Sequence, residues 1–205
     1  MKEQELYITS ACAIYGGTIS KNGSVLFANN EATDAVQFFI SAYKYFAIDY
    51  PRFYKMDNLC KLGVLAVEML LHDTSFKSRV GDKVNDVAIL FLNASSSLDT
   101  DKKYFKSLQQ MASPALFVYT LPNIVMGEIC IRHGFKGENV FLIEESFNAV
   151  FLQQQVTLLL NTNANSACIC GWVEFLENEY KAFLYLVEKD NPQGITFTAE
   201  NLSIQ

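Results

Sequence analysis

A chain of 205 residues, half of them apolar and 13% aromatic, is long enough to bury one sizeable core and too apolar for a disordered segment. Its formal charge of −6, with no cluster of Lys and Arg, argues against nucleic acid or an anionic membrane surface as partner. The first residues lack a basic stretch leading into a long apolar core, so no secretion signal is expected, and the expected setting is a cytoplasmic, soluble domain.

In chain order, residues 6–14 read as a strand closed by Gly16 and Gly17. The aromatic-rich stretch 34–48 predicts a helix that ends before Pro51. Residues 59–71 predict a second helix, apolar almost all round. Its only charges, Lys61 and Glu68, lie seven apart on one narrow strip, so it should be buried on most sides. Residues 87–92 form a continuous apolar run of strand length, as in a covered, largely parallel sheet. A Ser-rich turn and a short helix over 101–111 are expected next. Ser113-Pro114 breaks the pattern, and Pro122 opens a helix through 131 that Gly134 closes.

Residues 139–143 predict a strand and 146–160 a helix. Two further strands, 167–175 and 181–187, are joined by Glu177-Asn178-Glu179-Tyr180, the pattern of an antiparallel pair. Residues 146–173 carry no charge, yet Gln153, Gln154, Gln155, Asn161, Asn163 and Asn165 interrupt them. No apolar run there approaches the ~20 residues of a membrane span, so no span is expected. The architecture predicted is α/β with a mixed sheet, in one domain without repeats or linkers.

Few residues carry recognisable chemistry. Cys12, Cys60, Cys130, Cys168 and Cys170 have no paired metal-ligand spacing and read as free thiols of a reducing compartment. No metal or cofactor is therefore expected. His72 and His133 each end a predicted helix, where the C-terminal dipole favours an imidazolium. No Gly-rich phosphate loop and no Gly-x-Ser-x-Gly motif occurs. Glu144 and Glu145 read as charges at a helix start rather than as an acid/base pair. Ser146 falls between a strand and a helix N-terminus, where it either caps the helix or sits as a nucleophile.

The central stretch resembles the β-ketoacyl synthase branch of the thiolase-like condensing enzymes. Ser113-Pro114-Ala115-Leu116-Phe117, Thr120-Leu121-Pro122-Asn123, Gly127, and Gly134-Phe135-Lys136-Gly137-Glu138-Asn139 are similar to that family's Ser-Pro-x-x-Phe … Asn … Gly … Gly-x-x-Gly-Pro series. Asp49-Tyr50-Pro51-Arg52-Phe53 and Met56-Asp57-Asn58-Leu59 look like the approach to its first long helix, and residues 6–16 like its first strand and turn. The resemblance implies a thiolase-like half: a mixed, mostly parallel five-stranded sheet with helices on both faces and a late antiparallel hairpin. It makes residues 1–205 a single synthase N-terminal-like domain.

The resemblance also places the family's nucleophilic cysteine at position 146, where this chain has Ser146, while Glu138 stands for the family's proline. A thiol with pKa near 8.5 becomes a thiolate at a helix N-terminus, whereas a serine hydroxyl needs an adjacent base. The family's histidines come from a second half, and His72 and His133 do not match them. A lone half is expected to leave the apolar faces of helices 59–71 and 146–160 wet, at about 25 cal/mol per Å². Dimerisation would cover them, with a second copy or with a full-length synthase.

The function implied is a non-catalytic or partial synthase-like subunit of fatty acid or polyketide-type biosynthesis, paired with a synthase or binding an acyl carrier protein. Two alternatives are an acyltransferase or thioesterase that uses Ser146 with a partner's base, and a small-ligand binding module that keeps only the fold.

Overall fold

The computed structural model describes residues 5–76, 78, 81, 86–162 and 165–202. Residues 1–4, where a secretion signal was judged absent, and Asn163 of the polar turn lie outside them. The elements run β1 (Leu6–Tyr15), β2 (Thr18–Lys21), β3 (Ser24–Ala28), α1 (Ala35–Tyr45), a 3-10 turn (Pro51–Lys55) and α2 (Asn58–Leu71). After these come β4 (Val87–Asn93), α3 (Leu98–Ser107), α4 (Pro114–Val118), α5 (Ile124–His133) and β5 (Asn139–Ile143). The last are α6 (Ala149–Thr162), β6 (Ala167–Leu176), β7 (Glu179–Lys189) and β8 (Ile195–Thr196).

The strands form one sheet in the order β3-β2-β1-β7-β6-β4-β5, with β8 pairing β1. Its centre is the five-stranded unit β1-β7-β6-β4-β5. Because β7 is antiparallel to both neighbours while β4 is parallel to β5 and β6, four of these five strands point one way. The late hairpin is β6–β7, whose turn holds Glu177 at φ 59. The short strands β2, β3 and β8 widen the β1 side. Their few residues carry too little alternation to be foreseen.

Every residue of β4 is buried, as its apolar run predicts for a strand covered on both faces. On one face α2 lies across β1, β6 and β7, with α1 and α5 packed outside it. Gly63 lets α5 approach: a Cβ there would sit 2.3 Å from Val125 Cγ2. The expectation that α2 shows an apolar face is therefore corrected. Leu62, Leu65, Ala66, Val67 and Leu70 have no exposed surface, because α1 and α5 of the same chain supply the cover. Even Lys61 is buried; its ammonium donates to Met56 O, and burial lowers its pKa.

Among the described residues the other face is covered by α6, by Phe147 just before it and by the segment 195–202, which inserts Phe197 and Leu202 into a second core with Leu90, Leu92 and Val156. No helix among the described residues is long and apolar enough to cross a membrane.

Several helix limits differ from the sequence expectation; α1 ends at Tyr45, before the expected 48. The helix expected over 101–111 begins at Leu98, since Ser97 O already accepts from Thr100 N and Asp101 N. The helix expected from Pro122 is α5, from Ile124 to the left-handed cap at Gly134, and where Ser113-Pro114 was expected only to break the pattern a further short helix, α4, starts at Pro114 with Ser113 Oγ accepting from Leu116 N. The helix expected from Ser146 begins at Ala149.

Candidate functional site

The parallel strands β4, β5 and β6 end together, and open α/β sheets carry their ligand sites beyond such carboxyl ends. Asn93, fully buried at the end of β4, holds the turn that follows: its Oδ1 accepts from Ser96 N and its Nδ2 donates to Ser96 O. Glu174 on β6 braces the same turn, with Oε2 accepting from Ala94 N at 2.6 Å and Ser95 N at 3.3 Å. The polar Ser-rich turn is thus a fixed wall.

Beside it, Glu144 N donates to Asn93 O at 3.0 Å and extends the β4–β5 ladder by one residue. The chain then leaves the sheet through Glu145 and Ser146, both exposed, and re-enters order at Phe147, which meets Trp172 edge-on at 6.5 Å. Asn148 starts α6: its Oδ1 accepts from Phe151 N at 3.0 Å and its carbonyl from Leu152 N at 2.9 Å. The reading of Ser146 as the helix cap is therefore corrected. A capping side chain must reach the N–H two or three residues on, and Asn148 has that position. Ser146 lies two residues earlier, on the loop, and its hydroxyl makes no hydrogen bond among the described residues. Likewise Glu144 and Glu145 belong to the strand end and loop rather than to the first helical turn.

The two histidines are not brought to Ser146. His133 closes α5 before β5 begins, stacks on Phe135 and lies 3.4 Å from Glu68. The five residues of β5, at about 3.3 Å each, separate its end of the sheet from the Ser146 end. His72 closes α2 on the β2 side, where its carbonyl accepts from Lys21 and its ring pairs with Asp73. That side is five strand spacings, roughly 24 Å, from β5.

The thiols do not replace a nucleophile. Cys168 and Cys170 share the face under α6, fully buried, and burial together with the neighbouring Cys168 thiol pushes the Cys170 thiol well up. Burial likewise holds Cys12 up at about 12. Among the described residues no group of three His, Cys, Asp or Glu side chains is arranged to hold a metal ion.

Sequence reasoning missed a polar network on the opposite face. Buried Glu128 accepts from Arg52 at 3.0 Å and from the Tyr50 hydroxyl at 3.2 Å, while Arg132 pairs with Glu68 at 2.7 Å and lies over the Tyr50 ring. Its members come from segments more than 60 residues apart, so no local spacing announces it. It ties the 3-10 turn to α5 and α2 and stands away from Ser146.

No family model and no curated protein matches this sequence. Solved structures do. The ishigamide ketosynthase/chain length factor is similar at a TM-score of 0.64 and 14% identity, over 91% of this chain and 62% of that one. A ketosynthase in complex with its chain length factor from Xenorhabdus doucetiae gives 0.57 and 15%, over 90% and 79%. A β-ketoacyl synthase from Burkholderia phymatum STM815 gives 0.62 and 11%, over 91% and 59%. The fold is thus a thiolase-like half of the β-ketoacyl synthase type. The chain spans 62% of the length of the first of these structures.

Proposed function

We propose that this chain, as a single synthase N-terminal-like domain, is a non-catalytic or partial β-ketoacyl-ACP synthase-like subunit of fatty acid or polyketide-type biosynthesis. It pairs with a synthase or binds an acyl carrier protein. The observation that carries this reading is position 146, where the synthase resemblance puts a cysteine and this chain has an exposed serine. It lies on a loop before the helix, and neither histidine of the chain stands near it. A hydroxyl so placed lacks the base its activation needs.

Three surfaces support pairing. Strand β5, Asn-Val-Phe-Leu-Ile, is an edge of the sheet without a charged residue, and such an edge is a template for another strand. Residues 98–121, which pack against β6, the β6–β7 turn and the start of α2, expose Phe105, Leu108, Met111, Phe117, Val118 and Leu121. Helix α6 shows Val150 and Leu158 outward and carries no charge. Apolar surface of this extent on one chain fits a protein interface.

The test is reconstitution with a synthase encoded beside it and a holo acyl carrier protein. A stable complex that changes the chain length or yield of the products is expected. An unassociated chain and unchanged products would overturn the reading.

The exposure of Ser146 favours a second reading, in which a partner's base takes the Ser146 proton. The oxygen then attacks a thioester carbonyl, the thiol leaves, and an acyl ester remains for transfer or hydrolysis. Intact-mass measurement after incubation with acyl thioesters and partner should show the acyl increment, absent in Ser146→Ala. An unchanged mass with partner present ends this reading.

A further inference from the structure

Strand β1 carries a bulge. Its register with β7 slips between Ile8 and Ser10, leaving Thr9 as the extra residue. On the opposite edge, β8 pairs with Tyr7 and Ile8, and β2 begins at Cys12. Among the described residues no strand pairs with Thr9, Ser10 and Ala11 there. Bulges of this kind bend a strand and interrupt its pairing, often beside functional sites.

A cavity of about 370 Å³ opens at this gap. Its floor lies on the α6 side of β1 and β7: the partly buried Ala11 and Ala13 and the edges of the largely buried Phe183 and Tyr185. Its rim bears the carboxamides of Asn22, whose Oδ1 already accepts from Ala11 N at 2.8 Å, Gln193 and Asn201. One wall is the segment 193–201, held down by Phe197 N donating to Leu6 O at 2.9 Å and Tyr185 Oη donating to Leu202 O at 2.9 Å. Asn201 Nδ2 further donates to Thr196 O at 2.8 Å. The floor is therefore apolar and aromatic, the rim offers neutral donors and acceptors, and among the described residues no charged side chain lines any part of it. In a chain with 38 Asp, Glu, Lys and Arg residues, that exclusion defines the ligand class. An ionic ligand would lose its hydration there without gaining a counter-charge. Volume and lining also match those of small-molecule sites, in which a few polar groups orient a mostly apolar body.

We propose that this cavity is a binding site for a small uncharged ligand with a flat apolar or aromatic body and an amide, carbonyl or hydroxyl group. The body lies against Phe183 and Tyr185, and the polar group meets the rim carboxamides. The site is centred on β1, four strand spacings or roughly 19 Å from β5, and no residue of the loop that carries Ser146 lines it.

The test uses the whole chain and neutral N-phenyl-1-naphthylamine as probe. Saturable one-to-one fluorescence enhancement is expected, with shifts confined to the side-chain amide signals of Asn22, Gln193 and Asn201 in nitrogen-15 spectra. Ala11→Phe, which fills the floor, should weaken binding at least tenfold. Ile195→Asp, at a rim position 56% exposed, should weaken it several-fold with an unchanged melting temperature, and Ser146→Ala should leave it unaltered. The sulfonated analogue 1-anilinonaphthalene-8-sulfonate should bind at least tenfold more weakly than the neutral probe. Absence of saturable binding, equal binding by folded Ile195→Asp, or preference for the sulfonate would overturn the proposal.

Discussion

At the scale of single residues, Gly171 has the least freedom to change. It sits in the middle of β6 at φ +146, and a Cβ there would lie 1.9 Å from Phe183 O on the neighbouring strand. Neither the backbone angle nor the β7 main chain can yield cheaply, so Gly171→Ala should cost about 2–4 kcal/mol, read as a lowered urea midpoint. The thiols give a second residue-scale prediction. Cys12, Cys60, Cys168 and Cys170 are buried and Cys130 partly so. A disulfide reagent at neutral pH should modify Cys130 alone in the folded chain and all five in guanidinium.

Cys12 contributes one part of the pH dependence. Burial raises its pKa from 9.0 to about 12, so the folded state keeps a proton that the unfolded chain releases. Its contribution to stability is complete below pH 9 and declines as pH rises from 9 towards 12, by up to ~1.4 kcal/mol per unit. Denaturation midpoints should fall across that window, and Cys12→Ala should flatten the fall. An unchanged slope would show that Cys12 is not the group responsible.

At the scale of elements, α2 depends on the residue that caps its start. Asp57 Oδ1 accepts from Cys60 N at 2.9 Å and Oδ2 from Thr100 Oγ1 at 2.7 Å, so one carboxylate both caps α2 and anchors α3. Asp57→Ala should cost about 1–2 kcal/mol, and Asp57→Asn should restore part of it by equilibrium unfolding. The elements also show what local pattern can announce. Strand β5 runs over the residues expected from its apolar run, Asn139–Ile143, and α2 begins one residue before the expected helix. Helix α6 starts three residues late because two cap types compete. Ser146 and Asn148 are both good caps in isolation, and Asn148 is taken because β5 pairs one residue further than its apolar run, through Glu144.

At the scale of the whole molecule, cover is uneven. The α2 face is double-layered with helices, while the α6 face has one helix and one extended segment, and β5 is a bare edge. Association through β5 should appear as concentration-dependent sedimentation of the chain alone or with its synthase partner. Ile143→Lys, at a position 52% exposed, should weaken it at least tenfold without lowering the melting temperature. A chain that stays monomeric at high concentration, with and without partner, would remove the edge from the proposed assembly.

The sequence by itself determined the α/β class, the central strands, the buried helix α2 and the β6–β7 hairpin, since periodicity and turn residues are local properties. Only the tertiary structure decided that α2 is covered within its own chain, that Ser146 stands off the helix end and apart from both histidines, and that a bulge beside β8 opens an uncharged cavity. These depend on contacts between segments up to about 190 residues apart, for instance β1 with β8, and a pattern with a period of two or 3.6 residues carries no record of them.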